Sequence, residues 1–539
     1  MNFIENESEQ KLRGGYYTPQ FLCDYLVKWA IRGDCKDILE PSCGDGAFFN
    51  ALQKLSAEHL QIDACEIDEV EIEKAKLLVN EDLNVNFYLG DFLEFFLSSK
   101  NKLYDSIVGN PPFIRYQYLR GNTQKNAEMI FKKYNLKFTK HTNIWVSFVI
   151  ASLALLKPNG RLAMVIPSEI INVMHAQPLR DFLLEECSRV LVIDPEEIWF
   201  EGTLQGVVLL LAEKKETIDK ASFGVSICKA KKNNFIDINP NDLFKKSKYV
   251  SKEHIHGKWT YALLNEEERS ALEYLTASGF FVPFKDIADV DVGIVTGAND
   301  FFLIDDVTVQ KFNLSKYSYP MFGRSEHCLG VIYDKYQHDY NKKLGKPTNF
   351  LWIKSDESLS DKKVLDYIKS GEEQELNLRY KCRIRTPWYS VPSVYSSNIG
   401  MLKRSHDFPR LIYNKMNAFT TDTAYRIALK NDMAPDVFVE YFVNSVTALS
   451  AELEGRSYGG GVLELVPSEI EKILVPLVDN EFSGISELDA MFKQKIESRK
   501  ILMSGDMKLH SNLNISFDIL EIIHNAWSRL MCRRQRKSL

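Results

Sequence analysis

The segment Ile107–Tyr118 reads IVGNPPFIRYQY. Its Asn-Pro-Pro-Phe core carries an unusual set of groups. Pro111 and Pro112 fix φ and remove two backbone donors. Residues ahead of proline are driven out of the helical region, so Asn110 and Pro111 stay extended. The Asn110 side chain and the Pro111 carbonyl then become acceptors that no helix uses, with Phe113 beside them as a flat apolar plate. Such a site suits a planar group with an –NH2 edge: two acceptors for its two hydrogens, and a ring to stack on. An ordinary proline-rich turn has the same composition, so the motif alone leaves both readings open.

Three further clusters could do chemistry. ILEPSCGDG (Ile38–Gly46) gives an acid, Glu40, then Ser42 and a loop with Gly44 and Gly46, where a ligand can approach the backbone closely. It is not the GxGxxG fingerprint. CEID puts Glu66 at a strand tip about 20 residues beyond the glycines, the place from which an acid accepts from ribose hydroxyls. GDF puts Asp91 where it can accept from an adenine amino group and Phe92 where it can cover the ring. Each acid alone also reads as a surface carboxylate or a helix cap. Four polar sites at four successive strand ends are a different matter, because ligands of open α/β sheets collect there. No CxxC pair or His/Cys spacing suggests a metal, and none is expected among the nine scattered cysteines.

The elements that must hold these residues follow from periodicity. The first ~215 residues alternate strand-like and helix-like segments, as a doubly wound sheet does. Thr18–Ile31 reads as a helix with Thr18 able to cap it, Pro19 in its first turn, and Phe21, Leu22, Tyr25, Leu26 and Trp29 on one face. YDSIV is a buried strand that Gly109 ends, and IWVSFVIASLALL is a helix followed by a Pro-Asn-Gly turn and a strand. Lys214–Phe244 is charged and weakly periodic. Beyond a boundary placed at 246–258 the pattern changes to short β-like runs with aromatics, and from Ser486 it becomes helical. The expected organisation is a catalytic domain over residues 1–245, a recognition domain over 246–485 and a helical segment over 486–539.

Composition bounds the class. At 539 residues, 45% hydrophobic and 26% charged, the chain has room for two or more globular domains. No apolar run is long enough to span a membrane, the acidic N-terminus is no signal peptide, and cytoplasmic localisation is expected. The net charge of −6 gives no bulk attraction for nucleic acid, but two basic patches stand out. Ile114–Thr142 holds Arg115, Arg120 and five lysines against Glu128. Leu376–Arg426 holds nine cations, from Arg379 to Arg426, interleaved with Tyr380, Trp388, Tyr389, Tyr395 and Tyr413. Either patch by itself also reads as a solvated face.

Taken together, the Thr-Pro helix, the glycine loop, GDF and NPPF, in that order and ahead of a long C-terminal half, resemble the gamma-ordered N6-adenine DNA methyltransferases of bacterial type II restriction–modification systems. The resemblance covers roughly residues 14–215. It implies a Rossmann-like α/β S-adenosylmethionine-dependent domain followed by a mixed α+β target-recognition domain. It further implies that Thr18, Glu40, Ser42, Gly44 and Gly46 surround the methionine end of S-adenosylmethionine. Glu66 would take the ribose, and Ile67, Asp91 and Phe92 the adenine. Phe148 resembles an aromatic near the cofactor, with core packing as its alternative. Asn110, Pro111, Pro112 and Phe113 would face the substrate base, and Phe200, or its neighbour Trp199, would pack its other side. VDVGIVTGANDFFLI and GRSYGGGVLELVPSEIEKILVP resemble recognition-domain segments more loosely, and the YGGG run reads either as backbone brought near a DNA phosphate or as a tight turn. A monomer acting on double-stranded DNA is expected. About 13 residues precede the motifs, too few for even a ~50-residue nuclease domain, so a separate restriction endonuclease, or none, is the expected companion. The motif does not separate N6-adenine from N4-cytosine, RNA or protein-glutamine methylation; a catalytically silent DNA-specificity subunit is the remaining alternative.

Overall fold

A computed structural model describes residues 18–55, 59–80, 83–98, 102–114, 116–119, 121–140, 142–195, 206–230, 237–255, 257–430, 432–458, 460–478 and 483–537. The chain divides into two compact units at Leu264/Asn265.

The first unit is built on one eight-stranded sheet: β1 (Asp37–Glu40), β2 (Gln61–Glu66), β3 (Asn84–Leu89), β4 (Tyr104–Gly109), β5 (Leu156–Pro167), β6 (Cys187–Pro195), β7 (Val207–Lys214) and β8 (Gly224–Ala230). The spatial order is 3-2-1-4-5-7-6-8. Only β7 runs antiparallel to its neighbours, β5 and β6. The chain moves outward from β1 to β3 and then returns to the other side of β1 with β4. The strand order therefore reverses between β1 and β4, which opens a crevice at their carboxyl ends. The loops after those two strands are the glycine loop and NPPF.

Both faces of the sheet are covered, and the strands alternate between them. Leu39, Ile107, Leu162, Met164, Val190 and Val192 enter the core layer on the side of the Asn122–Lys133, Ile144–Ala154 and Gln177–Glu186 helices. Ile38, Val108, Ala163, Val165, Leu191 and Ile193 enter the layer beneath the Gln20–Ala30 and Ala47–Gln53 helices. Burial on both faces accounts for the nearly continuous apolar runs of the central strands.

Several local expectations change. Thr18 does not cap the first helix; Pro19 occupies the N-cap position and no side chain caps it. The Pro-Asn-Gly turn lies inside β5 as a bulge, with Asn159 at φ 59° and Leu156 and Arg161 pairing with Tyr104 and Ser106. The charged stretch after Lys214 contains β8, whose partner is β6. The residues after 245 continue to pack on the first unit: Val250 bridges Val225, Trp259 N–H donates to Ile171 O at 2.9 Å, and Arg180 Nε donates to Gly257 O at 3.1 Å.

The second unit is mixed α+β. Its largest sheet has the order Ala288–Val292, Ala424–Leu429, Ile399–Leu402, Leu411–Asn414, Ile332–Tyr333. The Ser445–Glu454 helix is buried along its whole length and packs against Phe517–Gln535. The helical segment after 485 is thus part of this unit. Arg534 makes a buried ion pair with Glu452 at 2.7 Å and donates to the carbonyls of Gly461 and Asp407. Gly460 and Gly461 have φ of 76° and 70° in the turn of a small hairpin, and a Cβ on Gly461 would lie 2.8 Å from Gln535 Cα. Gly460 and Gly461 thus form a tight turn on which the last helix rests. No helix among the described residues is long and apolar enough to cross a membrane.

Candidate active site

Four strand tips line the crevice, and hydrogen bonds join them in sheet order. At the tip of β1, Gly44 turns the chain with φ 52° and Gly46 opens the next helix with φ 92°. A Cβ at Gly46 would lie 2.9 Å from the Phe49 ring and 3.1 Å from Ala75 Cα, so the loop needs glycine there. At the tip of β2, Glu66 Oε2 accepts from Gly44 N–H at 2.9 Å, and Oε1 accepts from Ile67 and Asp68 N–H, both at 2.9 Å. The Glu66 carbonyl accepts from Gly90 N–H at 2.8 Å, which ties in the tip of β3.

On the other side of β1, Gly109 ends β4 so close to Pro41 that a Cβ would lie 3.2 Å from the proline ring. Ser42 Oγ donates to the Asn110 carbonyl at 3.0 Å. Asn110 Nδ2 donates to Thr18 Oγ1 at 3.1 Å, which joins the residue ahead of the first helix to the NPPF loop. Pro111 is buried, and Phe113 is half-buried against the core layers on both faces of the sheet. The four motifs read from the sequence are therefore one site.

Glu40 is the electrostatic centre of this region. It is 1% exposed, and neither carboxylate oxygen has a hydrogen-bond partner among the described residues. Burial, then the negative charges of Glu66 and Asp45, push its carboxyl well above the usual range. A buried carboxylate without a partner is costly and is relieved by a cation. The ammonium of an amino-acid ligand fits that requirement, and the open space at Gly44, where a Cβ would meet nothing within 4 Å, fits close approach of the same ligand.

The adenine side is more committed internally than the sequence suggests. Asp91 Oδ1 accepts from Leu93 N–H at 2.9 Å, and Oδ2 accepts from Thr123 Oγ1 at 3.0 Å and Asn126 Nδ2 at 3.5 Å. Phe92 is buried and its ring centroid lies 5.1 Å from that of Phe148, which is itself 5% exposed and part of the core. Ile67, 66% exposed, stands at the rim beside Glu66. Phe200 and Trp199 lie outside the described residues, as do Arg115 and Arg120. No group of metal-ligating side chains occurs among the described residues.

Two family models cover most of the chain in order. Residues 46–199 match the model described as Eco57I restriction-modification methylase, and residues 256–510 match that of Type II methyltransferase M.Eco57I, C-terminal domain. Both halves of the chain thus resemble Eco57I-type restriction–modification methylases. Type II methyltransferase M.AccI of Acinetobacter calcoaceticus is 27% identical over 475 residues, covering 85% of this chain and 84% of that protein. M.XamI of Xanthomonas campestris pv. amaranthicola is 21% identical over 491 residues, covering 87% and 86%. A tRNA1(Val) (adenine(37)-N6)-methyltransferase of Haemophilus influenzae is 29% identical over 147 residues, 27% of this chain and 59% of that protein. The cofactor is S-adenosylmethionine, and Glu40 with its glycine loop fits it.

In the second unit the basic patch sorts into two groups. Arg385 donates to the Thr296 and Val295 carbonyls, both at 2.7 Å. Arg410 donates to Cys328 O at 2.8 Å, and Arg426 donates to Val292 O at 2.7 Å with its guanidinium 3.4 Å from the Tyr395 ring centroid. Lys403 and Arg404 both pair with Glu464. These five hold the fold, whereas Arg379, Lys381, Arg383 and Lys415 are exposed. In the first unit five lysines between Lys125 and Lys140 are exposed around the Asn122–Lys133 helix.

Proposed function

We propose that this chain is the modification enzyme of a restriction–modification system and methylates the exocyclic N6 of an adenine flipped out of duplex DNA. The observation that carries the reading is the setting of Asn110. It stands at the switch point of the sheet, its backbone held by Ser42 and its amide nitrogen by Thr18. With the nitrogen committed to Thr18, the amide oxygen turns to the opposite side, as an acceptor of an amino hydrogen must.

S-adenosylmethionine supplies the methyl group. Glu40, Ser42 and the backbone of Gly44 and Gly46 hold its amino-acid end, Glu66 its ribose, and Ile67, Asp91 and Phe92 its adenine; Phe148 supports Phe92 from behind. The lone pair of an adenine amino nitrogen is delocalised into the ring, so that nitrogen is a poor nucleophile. Asn110 Oδ1 and the Pro111 carbonyl each accept one of its hydrogens and favour a tetrahedral nitrogen. The developing positive charge is stabilised by the same two acceptors, so the catalytic contribution is positioning plus electrostatics. No strong base is needed, because the proton leaves after transfer. The nitrogen is unreachable in this geometry inside a duplex, so the base is extruded. Phe113, and Phe200 or Trp199 from the other side, replace part of the lost stacking.

Asn rather than Ser before the prolines favours adenine over cytosine. The likeness to an adenine-N6 methyltransferase over 147 residues supports the same choice. That relative acts on tRNA by its name, which makes an RNA substrate the second reading; the match of the other half to the M.Eco57I C-terminal domain favours DNA. The test is methyl transfer from labelled S-adenosylmethionine to unmethylated genomic DNA and, in parallel, to tRNA, followed by nucleoside analysis. N6-methyladenine in the DNA arm, absent with Asn110→Ala, is the expected result. N4-methylcytosine, or label only in tRNA, overturns it.

A further inference from the structure

The turn Leu378–Ile384 of the second unit (LRYKCRI) combines features that a solvated face does not need. Leu378, Tyr380 and Ile384 are 61%, 63% and 61% exposed. Between them stand Arg379, Lys381 and Arg383, all exposed and none in an ion pair among the described residues. The Tyr380 ring has Lys381 Nζ at 5.7 Å and Arg383 Cζ at 5.6 Å from its centroid. From Leu376 to Arg385 there are four cations and no acid. The acids just before it, Glu372, Glu373 and Glu375, belong to the end of the preceding helix and its flank, and Glu372 is bonded by Trp388 Nε1 at 3.0 Å.

The turn is also anchored from beneath. Cys382 is fully buried, Arg385 is tied to the carbonyls of Val295 and Thr296, and Gly297 (φ 83°) comes so close that a Cβ there would lie 2.6 Å from Lys381 Cβ. Exposed apolar side chains on a fixed base lose little freedom on binding.

We propose that this turn is a DNA wedge: Arg379, Lys381 and Arg383 take phosphates on the two sides of a groove, while Tyr380, flanked by Leu378 and Ile384, stacks against bases at a disturbed step. The inference rests on the reading of DNA as the substrate. Its physical basis is charge complementarity to phosphate, joined to an apolar and aromatic tip of the kind that unstacks base steps.

The test uses the full chain, a fluorescein-labelled duplex of random sequence, and anisotropy titrations at several salt concentrations. The combined Arg379→Gln, Lys381→Gln, Arg383→Gln variant is expected to bind more than about tenfold more weakly at low salt, with the salt slope shallower by about 3. Tyr380→Ala is expected to lose about tenfold at every salt with the slope unchanged, and Tyr380→Phe, which keeps the ring, to bind as wild type. Melting midpoints equal to wild type verify that each variant is folded, and Arg→Ala and Lys→Ala versions replace any that is not. A charge variant with wild-type affinity and slope, or Tyr380→Ala that binds as wild type, overturns the wedge. Methylation of genomic DNA by the same preparation shows that such a failure belongs to the wedge alone. A wild-type chain that neither binds duplex nor methylates DNA overturns the wedge together with the reading beneath it.

Discussion

Asn110 Nδ2 and Thr18 Oγ1 are 3.1 Å apart across 92 positions of sequence. A threonine ahead of the first helix thus orients the amide to which the proposed function assigns the substrate amine. Thr18→Val removes the acceptor while keeping the shape. One net hydrogen bond is worth about 1 kcal/mol, so single-turnover methylation at saturating cofactor should slow about five- to tenfold, and Thr18→Ser should restore it. A variant that loses cofactor affinity by calorimetry yet keeps its single-turnover rate would show Thr18 to be a cofactor contact instead.

Glu66 accepts three backbone N–H groups, one of them from the glycine loop. Glu66→Ala should weaken S-adenosylmethionine binding by about 1.5–3 kcal/mol. It should also lower the melting midpoint without cofactor, since the three donors lose their acceptor. Calorimetry with an unaltered dissociation constant rejects the ribose assignment; an unaltered melting midpoint rejects the loop-holding role.

Glu40 sets stability against cofactor binding. Its carboxyl is raised by burial and by Glu66 and Asp45. The folded state therefore holds this proton longer than the unfolded state does. Its contribution to stability is lost as pH rises from the ordinary carboxylate range through the raised value. Glu40→Gln should thus melt higher than wild type at neutral pH without cofactor. Added S-adenosylmethionine should raise the wild-type midpoint and move that of Glu40→Gln far less. Equal cofactor shifts in thermal melts would remove Glu40 from the site.

Acid should loosen the second unit through His327 and His338. Burial, the leading cause for each, lowers both to about 4 from the usual 6.5. The unfolded chain takes up these protons first. Stability is therefore intact above about pH 6.5 and is lost as pH falls toward about 4, by up to about 3 kcal/mol for each histidine. His327 Nδ1 accepts from Gly323 N–H at 3.3 Å, a bond that protonation breaks. Melting midpoints measured across this window should fall for wild type and fall less for His327→Asn. Parallel curves would show that other groups carry the acid sensitivity.

Base extrusion is read with 2-aminopurine at the target adenine. Binding should raise its fluorescence. Phe113→Ala should alter that signal and slow methylation, through loss of a stacking face worth about 1–3 kcal/mol, while affinity for the surrounding duplex falls less. A mismatched target should rescue part of the rate. A probe that stays as quenched as in free duplex when specifically bound rules out flipping.

The order of the motifs was legible because each is local: a short apolar run, then a polar tip. The likeness of residues 14–215 to a known family supplied the fold for the same reason. What joins those tips was not legible. Nothing in the text ESEQ to NPPF says that Thr18 will turn from its helix to Asn110, or that Glu66 will close on Gly44 N–H, since both bonds depend on the completed sheet. The basic patch misled in a similar way. Composition counts Arg385, Arg410 and Arg426 with Arg379 and Lys381, yet three of the five point inward to backbone carbonyls. Each guanidinium reaches backbone carbonyls 31 or more residues away in sequence, a pairing that exists only in the folded unit. Asp91 and Phe148 show the same limit: Asp91 is taken up by Leu93, Thr123 and Asn126, and Phe148 by the core, and no local pattern distinguishes those partners from a ligand.

The Glu452–Arg534 pair spans 82 positions, and the hairpin beneath the last helix leans on the same arginine. During synthesis the catalytic unit emerges whole and can fold early, as N-terminal domains do. The second unit must wait with Glu452 and the Ser445–Glu454 helix uncovered until Arg534 clears the ribosome. A nascent chain thus completes its first unit before its second, and ribosomes that stall between those two points leave the Ser445–Glu454 helix, buried in the finished unit, open to chaperones and proteases.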